Sequence, residues 1–183
     1  MSELPVIFTD LDGTLLDHDT YSAEEARLVL EKVTAKGIPV IPATSKTYSE
    51  VVEFRDSMNL THAFIVENGA ALYVPMDTDI RCPMGSKLFE GYWVREFGVK
   101  RQALCDVLEA LDMNGTYQFK SLTDMRTSEV ADVTGLDLAS AQRAQHRLYS
   151  ETLDWRDSET ALTAFSDVLT GICLLYTSPS PRD

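Results

Sequence analysis

Val6-Ile7-Phe8-Thr9, running into Asp10-Leu11-Asp12-Gly13-Thr14, is the stretch on which the reading of this chain turns. Its first four residues are a short apolar run rich in β-branched and aromatic side chains, the pattern of a strand covered on both faces within a parallel sheet. A buried central strand is therefore expected there. Open parallel sheets carry their chemistry just past the carboxyl ends of the strands, which is where Asp10 and Asp12 fall. Gly13 permits a sharp turn and Thr14 adds a hydroxyl. Asp and Gly also make ordinary turns, so a plain turn is the alternative. Two partly buried carboxylates one residue apart repel unless a cation or a shared proton compensates. Mg²⁺ suits them, because it takes few protein carboxylates and completes its shell with water and phosphate.

Working outward, Ser22 and Glu25 fit a capping box opening a helix. Its buried stripe is expected at Leu28, Val29 and Val33, and Gly37 stands where a left-handed cap is wanted. Ile38 to Ala43 reads as a second strand, with Pro39 and Pro42 confined to ends or non-donating positions. Thr44-Ser45-Lys46-Thr47 closes that strand, and Thr47 with Glu50 forms a second capping box. Val51, Val52, Phe54 and Met58 supply the core stripe of the helix that follows. Ala63 to Val66 reads as a third strand, turning through Glu67-Asn68-Gly69 into Ala71 to Val74.

The pattern changes after Val74. Pro75 to Gly85 reads as a linker. Beyond it come a Tyr92-Trp93-Val94 segment, a helix from about Lys100 to Leu111, and a short strand near Tyr117 to Phe119. A helical turn before Gly135, a helix from about Leu138 to Leu148, a strand from Tyr149 to Trp155 and a helix opened by Ser158 complete the series. The expected division is the N-terminal part of a core at 1–76, an α+β unit at 77–172, and a tail at 173–183.

The 183 residues carry 16 Lys and Arg against 29 Asp and Glu, a formal net charge of −13, which argues against nucleic acid but not against a small phosphorylated substrate. A hydrophobic share of 44% is enough for one core bearing a smaller second domain. The three cysteines form no C-x-x-C pair and suggest neither a disulfide framework nor a zinc site. No apolar stretch is long enough to span a bilayer and Met1 to Pro5 shows no leader pattern, so a cytoplasmic protein without membrane partners is expected.

The strand-borne Asp10 to Thr14 resembles the first motif of the haloacid dehalogenase superfamily of phosphohydrolases. The resemblance implies an α/β fold, a Rossmannoid parallel-sheet core, here incomplete, with an inserted α+β cap of type II. It implies that Asp10 is the nucleophile, forming an aspartyl-phosphate, and Asp12 the general acid/base. Mg²⁺ would be held by Asp10 and by the main-chain carbonyl of Asp12. The Thr44 hydroxyl would bind the transferring phosphoryl group, with Ser45, Gly13 and Thr14 beside it. Thr44-Ser45-Lys46-Thr47, Phe64-Ile65-Val66-Glu67-Asn68-Gly69, Thr134-Gly135-Leu136 and Tyr149-Ser150-Glu151-Thr152-Leu153-Asp154-Trp155 are narrower, and resemble the mannosyl-3-phosphoglycerate phosphatase family from Pro5 to about Ile172. That implies hydrolysis of mannosyl-3-phosphoglycerate to mannosylglycerate, a compatible solute.

Substrate-binding candidates are Lys46, which is otherwise a solvated helix-end charge, and Glu67 and Asn68, whose turn lies beyond a parallel strand and so points at the site. Arg147, Tyr149 and Glu151 are within reach of a sugar hydroxyl or glycerate carboxylate, unless their segment is simply a cap strand. Two other functions stay open: a phosphatase for another sugar phosphate, such as sucrose or trehalose phosphate, and a phosphate-accepting module without turnover. Asp12 beside Asp10 favours an enzyme.

The superfamily's later Lys and its G-D-x-x-N-D-like metal loop find no match in this sequence. Cys173 to Asp183 resembles a translated sequencing adapter. The expectation is a fragment with an artefactual tail, itself inactive and poorly folded.

Overall fold

The computed structural model describes residues 5–17, 22–112 and 115–172. The segment read above as a tail lies outside them. Strand β1 (Ile7–Thr9) pairs in parallel with β2 (Val40–Pro42), Ile7 opposite Val40 and Thr9 opposite Pro42. Pro42 ends its strand and Pro39 precedes it, so neither is asked for a ladder hydrogen bond from its nitrogen. A parallel bridge from Ala43 to Ile65 carries the sheet on to β3 (Phe64–Val66). From there β4 (Ala71–Pro75) doubles back antiparallel. Next come β5 (Lys87–Phe89) and β6 (Tyr92–Glu96), in the order β3-β4-β6-β5.

Two helices pack on this framework, α1 (Glu24–Thr34) and α2 (Tyr48–Ser57). The capping box of α2 is complete: Thr47 Oγ1 accepts from Glu50 N, and Glu50 accepts from Thr47 N. That fixes the helix start and turns Val51 and Phe54 into a core with Leu11, Leu30, Val40, Phe64, Val66 and Tyr73. Phe64 stacks on Tyr73 with centroids 5.0 Å apart, and Tyr48 stacks on Tyr73 at 4.8 Å. The buried Arg55 lies over Phe64 and bonds the His62 carbonyl and the Tyr92 hydroxyl.

The remaining elements are α3 (Arg101–Asp112), β7 (Phe119–Ser121), a 3₁₀ turn (Leu122–Asp124), α4 (Thr127–Thr134), α5 (Leu138–Gln145), β8 (Leu153–Trp155) and α6 (Glu159–Gly171). Antiparallel β7 and β8 bear Phe119 and Trp155 against Phe165 of α6. Leu122, Met125, Val130 and Ala141 form a second small core. Gly135 ends α4 in the left-handed region and Ser158 caps α6, both as expected from sequence. At Gly98, between β6 and α3, a β-carbon would meet that of Ala70 at 2.8 Å, so this crossing tolerates only glycine without a shift.

Five expectations are corrected. β1 is not a covered central strand: Phe8 is 64% exposed and Val6 50%, since among the described residues β2 is its one ladder partner. The N-cap of α1 is Ala23 rather than Ser22, whose hydroxyl accepts from Glu24 N; Glu24 instead pairs with Arg27. Its buried residue is Leu30, with Leu28 and Val29 largely exposed. Ala26, Leu30 and Val33 make a competing stripe at helical spacing, and the core takes that one. Only Leu153–Trp155 of the expected strand is strand, because the amides of Leu148 and Tyr149 are taken by the Glu67 carboxylate. Lastly, Tyr92-Trp93-Val94, read with the second unit, hydrogen-bonds to β4 in one continuous sheet.

Candidate active site

Asp10 stands immediately after β1, its carboxylate accepting from Leu11 N at 2.7 Å. The chain then wraps around the fully buried Leu11, whose carbonyl accepts from the amides of Thr14, Leu15 and Leu16. Gly13, at φ 63°, makes that wrap possible. Parallel pairing brings the end of β1 beside the end of β2, so Asp10 meets Thr44 and Ser45. With Ala43, Ile65, Asn68 and Gly69 they line a cavity of about 340 Å³. Thr44 is buried, and its hydroxyl accepts from Lys46 N.

Lys46 points back to the motif: its ammonium lies 2.9 Å from Asp12 Oδ1 and 3.6 Å from Glu50 Oε1. Burial works against that charge, but the attraction of Glu50 and the hydrogen bond to Asp12 outweigh it, and the Lys46 ammonium is held above its ordinary value. Glu50 thus caps α2 and anchors Lys46 together; the T-x-x-E pattern signals the first role and the i,i+4 spacing of Lys46 and Glu50 the second.

The structure gathers Asp10, Thr44, Ser45 and Asn68 around one cavity and sets Lys46 on Asp12. Thr14 is beside them in the wrap, its amide taken by Leu11. Glu67 is buried, and its carboxylate accepts from Leu148 N, Tyr149 N and Ser150 Oγ. Arg147 reaches the Ser45 carbonyl at 3.4 Å and Ser150 Oγ at 2.8 Å. Tyr149 and Glu151 do not line the cavity. The Tyr149 hydroxyl donates to Glu96, and burial with that bond pushes the phenol well above its ordinary range. Glu151 is enclosed by Arg101, Ser121 and Thr123. Ser150, which links Arg147 to Glu67, was not singled out from sequence, although it sits within the Tyr149 to Trp155 motif.

Among the described residues no group of three or more His, Cys, Asp or Glu side chains converges as a metal site. Mg²⁺ commonly takes one or two carboxylates with water and phosphate, so the exposed Asp10 carboxylate and the Asp12 main chain fit it as partial ligands.

The sequence pattern of the haloacid dehalogenase-like hydrolase family matches residues 7–82. A glucosyl-3-phosphoglycerate/mannosyl-3-phosphoglycerate phosphatase of Methanococcoides burtonii is 36% identical over 94% of this chain and 63% of its own length. A mannosyl-3-phosphoglycerate phosphatase of Pyrococcus furiosus is 35% identical over 81% of this chain and 59% of its own. The chain therefore spans about three fifths of the length of these curated relatives. A haloacid dehalogenase-like hydrolase structure from Bacteroides thetaiotaomicron superposes with a TM-score of 0.62 at 14% identity, over 96% of this chain and 68% of that one. With its Asp10 to Thr14 motif at the end of β1 and Thr44 at the end of β2, the chain is similar to the haloacid dehalogenase-like hydrolases over residues 7–82 and shares the fold of their solved structures.

Proposed function

We propose that this protein is a Mg²⁺-dependent phosphatase that removes the phosphate of mannosyl-3-phosphoglycerate to give mannosylglycerate in the cytoplasm. The observation that carries the reading is the meeting of Asp10 with the buried Thr44 in one cavity, beside a Lys46-anchored Asp12. The names of the relatives from Methanococcoides burtonii and Pyrococcus furiosus support the sugar-phosphoglycerate substrate.

In this scheme a carboxylate oxygen of Asp10 attacks phosphorus in line and the ester P–O bond breaks. The leaving oxygen of the glycerate takes a proton from Asp12. Water then attacks the aspartyl-phosphate, giving its proton to Asp12 and releasing inorganic phosphate with Asp10 restored. Thr44 and Ser45 hold phosphate oxygens, while Gly13 and Thr14 shape the wrap beside them. Bound Mg²⁺ supplies charge neutralisation at the phosphoryl group, with Asp10 and the Asp12 carbonyl as protein ligands. Asn68 faces the substrate from the cavity wall. Residues 1–76 would supply the first part of the core and 77–172 the cap, even though β5 and β6 extend the core sheet.

Phosphate release from mannosyl- and glucosyl-3-phosphoglycerate, with Mg²⁺ and after chelation, tests this. Asp10→Asn should abolish turnover, and Asp12→Asn should lower it by roughly 10²–10⁴-fold. Wild-type turnover by Asp12→Asn would sink the assignment.

A further inference from the structure

Three stretches far apart in sequence are tied into one hydrogen-bonded unit that the chemistry above does not use. The main chain of the turn after β3 grips the loop after β2: Glu67 N donates to the Lys46 carbonyl and Asn68 N to the Thr44 carbonyl, each at 3.0 Å. The Glu67 side chain grips the segment after α5. Its Oε1 accepts from Leu148 N at 2.9 Å, and its Oε2 from Tyr149 N at 3.0 Å and Ser150 Oγ at 2.6 Å. Arg147 then closes the circuit, donating from Nη1 to Ser150 Oγ and to the Ser45 carbonyl. Glu67 is 3% exposed, and three donors from the chain itself compensate its carboxylate, which is the condition for burying one at tolerable cost. Its turn places Glu67 and Asn68 both in the left-handed region, at φ 49° and 58°. A side chain held this way is committed to the protein rather than to a sugar.

We infer that Glu67 is a positioning residue: it docks residues 147–150 onto the Thr44–Lys46 loop, so that anion binding at the loop and docking of the segment strengthen one another. The inference rests on the reading of Thr44 and Ser45 as the phosphate-binding loop. Coupling of this kind is reciprocal, so each event is legible from the other. Positioning also explains why a residue that touches no cavity wall hydrogen-bonds the Thr44–Lys46 loop, which does.

Amide hydrogen exchange by NMR on the full chain, with and without inorganic phosphate, tests it without any assay of turnover. In Glu67→Ala, exchange at Leu148 and Tyr149 should quicken by roughly 10- to 100-fold, the loss expected for hydrogen bonds to a charged acceptor. The amides of α6 should be unaffected. Glu67→Gln, which keeps one acceptor oxygen, should fall between, and Ser150→Ala, which removes one donor without stranding a main-chain amide, should show a smaller change. Phosphate should slow exchange at Leu148 and Tyr149 in the wild type and not in Glu67→Ala. Wild-type exchange at these two amides in Glu67→Ala, an acceleration spread evenly over α6 as well, or no response to phosphate in the wild type would overturn the inference. Absence of ester hydrolysis alongside the expected exchange pattern would count against the phosphatase reading and support docking.

Discussion

Lys46 is read from sequence as a substrate contact or a solvated charge, and the structure gives it two carboxylate partners instead, on Asp12 and Glu50. Its side chain is largely buried, so removing it takes a positive charge away from two acidic groups. Lys46→Met should cost about 1–3 kcal/mol in urea unfolding at neutral pH, the range for stranding partly buried charged partners. The sign with pH follows from the direction of its shift. The folded state holds the proton more tightly than the unfolded chain, so the stabilisation is complete below the ordinary lysine value and is lost as pH rises through the elevated one. The gap between wild type and Lys46→Met should therefore persist across neutral pH and narrow as pH rises into strong alkali. At this scale the sequence indicated Asp10, Thr44 and Ser45 as neighbours, because strand ends in a parallel sheet share one edge. It did not indicate the partners of Lys46, Glu67 or Glu151, since a side chain's contacts depend on packing between distant segments rather than on local pattern.

At the scale of elements, Glu96 at the end of β6 gathers Lys100 ahead of α3, Lys87 of β5 and the Tyr149 hydroxyl. Hydrogen bonds from Lys100 and then Lys87 hold its carboxyl down to about 2. A depressed carboxylate stabilises the fold above its ordinary value, and that contribution disappears as pH falls toward the lowered one. Glu96→Gln should flatten the acid limb of the stability curve between about pH 4.5 and 2, measured by circular dichroism, and the difference should shrink in high salt because both lysines are more than half exposed. Elements with strong local signals were legible: the Thr47 capping box, the hairpin at Glu67 to Gly69, the Gly135 and Ser158 caps. The face of α1 was not, because Leu28-Val29-Leu30 offers two stripes and only the packing partner chooses between them. The segment 149–152 was misread as strand because alternation of apolar and polar residues says nothing of a buried carboxylate waiting for its amides.

For the whole molecule, the tether made by Glu67 has a kinetic consequence. It joins residues 81 to 83 apart in the chain, and Arg147 joins Ser45 across 102. Closing a loop of that length costs roughly 4 kcal/mol of chain entropy before any contact forms. The α4–α5 pair and the β3–β4 hairpin rest on neighbours close in sequence and can form without it. The docked segment must then be among the last parts to order and the first to open, with little structure in the transition state. Glu67→Ala is expected to steepen nothing and shift mainly one limb of the chevron: unfolding should quicken several-fold while the refolding rate stays near that of the wild type. The same side chain that aligns three motifs in the finished fold would thus set how long that fold lasts once made, and not how fast it is reached.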